Sequence, residues 1–199
     1  MDSASRRVIE HAPLVLVDFD GTLATLRSDW VGLKKRLAAL SAERNWPWDL
    51  SLGMDANLRR VRSDQGEATF TRLCDEVADA EVAGYAPQDI SHNLIELLRD
   101  RSGEPTAIVT NNTKAGVLRI LARPEFSGIR ARVIGKEDVQ ASKPSPQGLL
   151  RACRLYVASP KATVFIGDSA SDAEAAKAAG IGIFLRVTPP GASRLRLAA

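Results

Sequence analysis

Two aspartates stand two residues apart in Val15-Leu16-Val17-Asp18-Phe19-Asp20-Gly21-Thr22-Leu23, directly after the apolar stretch Leu14 to Val17. On an extended backbone, residues i and i+2 project to the same side, so Asp18 and Asp20 present their carboxylates together. Clustered carboxylates repel and raise each other's pKa unless a cation lies between them. A strand ending in a turn made of Asp and Gly is the structural alternative for the same residues. A second apolar run, Val164-Phe165-Ile166-Gly167, ends in Asp168, and Asp172 lies one helical turn further on. Open α/β sheets bind ligands beyond the carboxyl ends of their strands, so these acids would meet at one edge. Mg2+ prefers oxygen donors and takes only a few carboxylates, keeping other positions for water and substrate phosphate. Asp172 has an alternative duty at the start of a helix, where its charge complements the helix dipole.

Two further segments could hold an anion. Ile108-Val109-Thr110-Asn111-Asn112 ends a strand and enters a helix near Thr113. A hydroxyl followed by backbone N–H groups at a helix N-terminus is a ready anion site, although Thr and Asn are also ordinary helix starters. Lys143 lies in Ala141-Ser142-Lys143-Pro144-Ser145-Pro146. Pro144 keeps Lys143 extended, which suits a side chain reaching across a crevice, whereas a lone loop lysine is usually solvated.

The elements that must position these residues follow from the pattern. Five short runs rich in Val and Ile read as strands covered on both faces: 14–18, 106–110, 131–134, 163–167 and 181–187. Helical patterns over 90–101, 113–122, 146–156 and 172–179 alternate with the later ones, which predicts a parallel, Rossmann-like α/β sheet wound on both sides. Ser145-Pro146 reads as an N-cap and first helical residue, and Ser171 to Glu174 as a capping box before a helix that Gly180 stops. Segment 29–88 has three helical runs, 29–44, 55–62 and 67–82, and is too long for a loop. It predicts a helical subdomain inserted between strands one and two, with residues 1–28 and 89–199 forming the α/β core. The N-terminus is expected to lead directly into strand one, and the tail after Thr188-Pro189-Pro190-Gly191 to be mobile.

Taken together, these motifs resemble the haloacid dehalogenase-like (HAD) superfamily of phosphohydrolases, from Val15 to about Leu185. Asp18 to Leu23 looks like its first motif, Thr110 matches the second, Lys143 the third, and Gly167-Asp168 with Asp172 the fourth, in the family's order. The insertion, short at about 60 residues, is similar to the helical cap of the subfamily that includes phosphoglycolate phosphatase and β-phosphoglucomutase. The resemblance implies that Asp18 is a nucleophile forming an aspartyl-phosphate and Asp20 the acid and base. It implies Mg2+ held by Asp18, the Asp20 main-chain carbonyl and Asp168, with Asp172 behind them. Thr110, Asn111 and Lys143 would neutralise the phosphoryl oxygens. The implied substrate is a small phosphorylated metabolite. A phosphomutase would share these residues, and a non-catalytic binding protein could use the same scaffold. The second aspartate argues against dehalogenation.

Composition narrows the rest. The 199 residues are 45% hydrophobic and 26% charged, an ordinary globular balance. The net charge of +3 is not concentrated: residues 29–88 are net acidic and much of the surplus cation lies in the tails. No cationic stripe interleaved with aromatics points to nucleic acid, and no apolar stretch approaches membrane-spanning length. Cys74 and Cys153 have no metal-ligand spacing and read as free buried thiols of a cytoplasmic protein. His11 and His92 are expected at the surface, Trp30, Trp46 and Trp48 in the insertion's core, and Arg59, Arg60 and Arg62 on a solvated helix face. Oligomeric state is open.

Overall fold

A computed structural model describes residues 3–101 and 103–191. Five parallel strands, β1 (Leu14–Val17), β2 (Thr106–Val109), β3 (Arg132–Ile134), β4 (Thr163–Gly167) and β5 (Ile183–Arg186), form one sheet in the order β3-β2-β1-β4-β5. The order reverses at β1, whose two neighbours β2 and β4 run to opposite flanks, and such a switch point opens a crevice. Val17 is level with Ile108 of β2 and Ile166 of β4, so the residues that follow these three strands emerge at one edge.

Alternate residues of each buried strand feed two separate cores. Val15, Val17, Ile108, Val133 and Ile166 pack on one face against α1 (Ser3–His11), α5 (His92–Asp100) and α6 (Lys114–Leu121). Leu14, Leu16, Val109, Ile134 and Phe165 pack on the other against α7 (Gln147–Leu155) and α8 (Ala170–Ala179). Burial on both faces explains the uninterrupted Val/Ile/Leu runs. β5 departs from this expectation: it is an edge strand, and Ile183 is 41% exposed.

Three local expectations need correction. The chain does not run directly into β1; helix α1 precedes it, packing Ile9 into the core. Its local signal is weak, because it is short and largely polar. The helix end is instead held from far away: the buried Arg101 guanidinium donates to the carbonyls of Ile9, Glu10 and Ala12 at 2.5, 2.9 and 2.9 Å. The capping box of α8 is Ser169 with Asp172, not Ser171 with Glu174. Ser169 Oγ accepts from the Asp172 N–H, and the Asp172 carboxylate accepts from the Ser169 N–H. The turn leaves β4 earlier than the sequence pattern suggests, which makes Asp172 the third helical residue. Similarly, α7 begins at Gln147 and Pro146 is its N-cap. The expected mobile tail beyond Gly191 lies outside the described residues.

Between β1 and α5 lie α2 (Trp30–Glu43), α3 (Met54–Gln65) and α4 (Glu67–Ala83). Leu33, Leu37, Leu58, Val61, Phe70, Leu73, Cys74 and Val77 form their own apolar cluster, with Trp30, Trp46 and Trp48 packed against it. Arg59 and Arg60 are exposed, but Arg62 is not a solvated residue. Its guanidinium pairs with Glu67, stacks over Phe70 at 4.4 Å and donates to the Val139 carbonyl at 2.8 Å, tying α3 to the segment after β3. Cys74 and Cys153 are free and buried, and His11 and His92 are exposed. Among the described residues, no helix is long and apolar enough to cross a membrane.

Candidate active site

The strand register delivers Asp18 from β1, Thr110 from β2 and Asp168 from β4 to one cleft of about 330 Å3, which Asp20, Asn111 and Lys143 also line. Gly21 makes the closest approach possible. It has a φ of +83°, and a β-carbon there would collide with the Asp168 carboxylate, so the turn after β1 can lie against β4 only with glycine at this position.

Asp18 is 6% exposed, and Lys143 Nζ lies 2.6 Å from its Oδ1. The same ammonium is 2.5 Å from Asp172 Oδ1, so one buried cation joins an acid after β1 to one in the first turn of α8. Burial pushes the Asp18 carboxyl up to about 6, and the neighbouring Lys143 limits the rise. Asp172 is fully buried, and its other oxygen accepts from the Ser169 N–H and hydroxyl. Carboxylate oxygens of Asp18, Asp168 and Asp172 come within 4.8 Å of one another. The Asp20 side chain stands outside that group, with its Oδ1 accepting from the Leu26 N–H at 2.8 Å. Burial raises the Asp20 pKa, against the pull of that N–H, and the negative Asp168 adds to the rise. Asp168 is itself raised by partial burial and then by Asp172, while Thr22 Oγ1 donates to it at 3.3 Å.

Lys143 owes its position to Asn111. The Lys143 N–H donates to Asn111 Oδ1 at 2.8 Å, and Asn111 Nδ2 donates to the Lys143 carbonyl at 2.9 Å. This reciprocal pair engages the side-chain amide of Asn111 on the lysine loop. Thr110 Oγ1 donates to Asn112 Oδ1 at 2.7 Å and accepts from the Asn112 N–H at 3.1 Å. The expected row of open N–H donors entering α6 is not there. The Thr113 N–H donates to Glu81 of α4 at 3.0 Å, and the Lys114 N–H to Glu137 at 2.8 Å.

Asp55, Glu81 and Lys136, which the sequence reading passed over, also line the cleft. Lys136 Nζ is 2.9 Å from Asp55 Oδ1. Burial pulls the Lys136 pKa down, but Asp55 and Glu81 together push it above the ordinary lysine value. Glu81, 1% exposed, is raised by burial and anchored by Asn112 and Thr113. Signals for both existed. Lys136 follows the end of β3, where the rule that singled out Asp18 and Asp168 applies equally. Glu81 continues the apolar helical spacing of Cys74, Val77 and Ala78, where a carboxylate needs a partner.

The chain matches the haloacid dehalogenase-like hydrolase family over residues 12–180. It is 29% identical over 189 residues to a phosphoglycolate phosphatase of Pseudomonas putida, covering 84% of this chain and 66% of that protein. It is also 29% identical over 185 residues to a plasmid-encoded phosphoglycolate phosphatase of Cupriavidus necator, covering 86% and 79%. The chain thus spans about two thirds of the length of its Pseudomonas relative. Among solved structures, a haloacid dehalogenase-like hydrolase of Bacteroides fragilis superposes with a TM-score of 0.57 at 24% identity, covering 86% of both chains. A family enzyme of Bacteroides thetaiotaomicron in complex with magnesium and inorganic phosphate gives 0.57 at 17% identity, covering 92% of this chain and 98% of that one. With the family's four motifs converging on one cleft and the family match running through nearly the whole sheet, this chain belongs to the haloacid dehalogenase-like hydrolases.

Proposed function

We propose that the protein is a Mg2+-dependent phosphatase that hydrolyses a small phosphate monoester through an aspartyl-phosphate on Asp18. The observation that carries this reading is the Lys143 ammonium joining Asp18 to Asp172 beside Asp20, a second acid whose pKa is raised. The donor set fits the metal. Asp18, Asp168 and Asp172 cluster with Asp20 nearby, Lys143 pairs with only two of these acids, and Mg2+ favours such hard oxygen donors. Asp18, Asp168 and the Asp20 main-chain carbonyl would hold it, with Asp172 engaged instead by Lys143 and Ser169. The bound ion would supply charge neutralisation at the phosphoryl oxygens.

In the first step, a carboxylate oxygen of Asp18 attacks phosphorus. The ester P–O bond breaks, and Asp20 gives its proton to the departing alkoxide. In the second step, Asp20 takes a proton from water as that water attacks the phosphoryl group. The acyl-phosphate P–O bond then breaks, releasing phosphate and restoring Asp18. Lys143 and the Asn111 N–H stabilise negative charge on the phosphoryl oxygens in both steps. The helices of segment 29–88 act as the cap, and Trp30, Met54, Asp55 and Glu81 are its contribution to the cleft.

The test is mass spectrometry after brief exposure to acetyl phosphate with Mg2+. The wild type should gain one phosphate, mapped to Asp18, and Asp18→Asn should gain none and lose turnover to background. An adduct on another residue would overturn the assignment.

A further inference from the structure

Besides the acids at the strand ends, the cleft is lined by Trp30, Met54, Asp55, Glu81 and Lys136. Lys136 and the first two N–H donors at the start of α6 are each taken by a carboxylate of the protein itself. Lys136, buried, is held by Asp55 at 2.9 Å. At the start of α6, the Thr113 N–H is held by Glu81 and the Lys114 N–H by Glu137. Among the described residues, no arginine lines the cleft. Asp55, Glu81 and Lys136 together carry one net negative charge, the opposite of what would receive a carboxylate or a second phosphate. An anion reaching Lys136 would have to displace Asp55 and then remain beside both displaced and resident carboxylates. Like-charge placement of this kind is a means of rejecting a ligand. Hydroxyl groups meet no such barrier, because carboxylates accept from them and an ammonium donates to them.

We infer that the esterified alcohol is neutral and hydroxyl-bearing, with the phosphate as its only anion, and that Asp55 is the residue that denies Lys136 to anionic alcohols. This rests on the phosphatase reading and deepens it. It also separates this chain from what the names of its relatives suggest, since phosphoglycolate carries a carboxylate on its alcohol.

The experiment compares glycerol 3-phosphate and glucose 6-phosphate with phosphoglycolate and fructose 1,6-bisphosphate, using the whole chain with Mg2+ and reading phosphate release. p-Nitrophenyl phosphate serves as a separate check, because failure to hydrolyse it defeats the phosphatase reading itself. With that check passed, kcat/KM for the better neutral ester should exceed that of either anionic ester by about tenfold or more. Any anionic ester processed as well as the better neutral one overturns the inference, as does turnover of neither neutral ester. Asp55→Asn should free Lys136 and shift the ratio of kcat/KM values toward phosphoglycolate by about fivefold or more. That ratio does not depend on how much of the variant is folded. An unchanged ratio, or one moved toward the neutral esters, would remove Asp55 from the role.

Discussion

One cleft holds two buried lysines, each set against carboxylates, and the two are built differently. Lys143 sits at the strand ends of the α/β core, touching Asp18 and Asp172, while Asn111 clamps its backbone. Lys136 sits across the junction with the inserted helices, touching Asp55 of α3 and feeling Glu81 of α4. The first cluster belongs to one framework, fixed by the register of β1 and β4. The second exists only while α3 and α4 lie against the core. A cluster made of parallel strand ends can hold reacting groups in place through a catalytic cycle. A cluster split between two packing units can instead bear on what enters, because its charges come from both.

If the core cluster does the chemistry, its variants should fail by mechanism. Asp20→Asn should lower kcat/KM for an alkyl phosphate by about 10²–10⁴-fold and cost far less with p-nitrophenyl phosphate, whose phenolate leaves without a proton. Equal losses on both esters would break the comparison at its strongest point. Asp18 also makes folding pay for function. Its carboxyl is raised to about 6 from 3.8, so protonation favours the folded state, an advantage full below pH 3.8 and gone above about 6. In metal-free buffer at pH 7.5, Asp18→Asn should therefore be more stable than wild type by up to about 3 kcal/mol. The gain should vanish by pH 4, as urea melts at both pH values would read. Lys143→Ala should lower kcat/KM by about 10²-fold with an unchanged far-UV circular dichroism spectrum. Near wild-type turnover would return this lysine to a purely structural role.

The junction cluster should instead show itself in stability. Lys136→Met removes a charge-assisted hydrogen bond between the insertion and the core and should cost about 2 kcal/mol in urea denaturation. No loss would mean that Arg62, Phe70 and the α4–α6 packing hold the junction without it.

Much of the core cluster was legible because its residues follow apolar strands at short, fixed spacings. A run such as Leu14 to Val17 can be buried on both faces only in a parallel sheet, and the acids after it must then lie at the carboxyl edge. Local chemistry was also enough for Gly180 to end α8 in the left-handed conformation. What eluded sequence reading depended on partners distant along the chain. Helix α1 is secured by Arg101, and the Asn111 side chain braces the Lys143 loop. The donors at the start of α6 were claimed by Glu81 and Glu137, and Arg62 was drawn from solvent into the junction. Periodicity and spacing report which face of an element is apolar and which residues end a strand. They carry no information about which buried charge meets which, since that pairing is decided by how helices from one segment pack against strands of another.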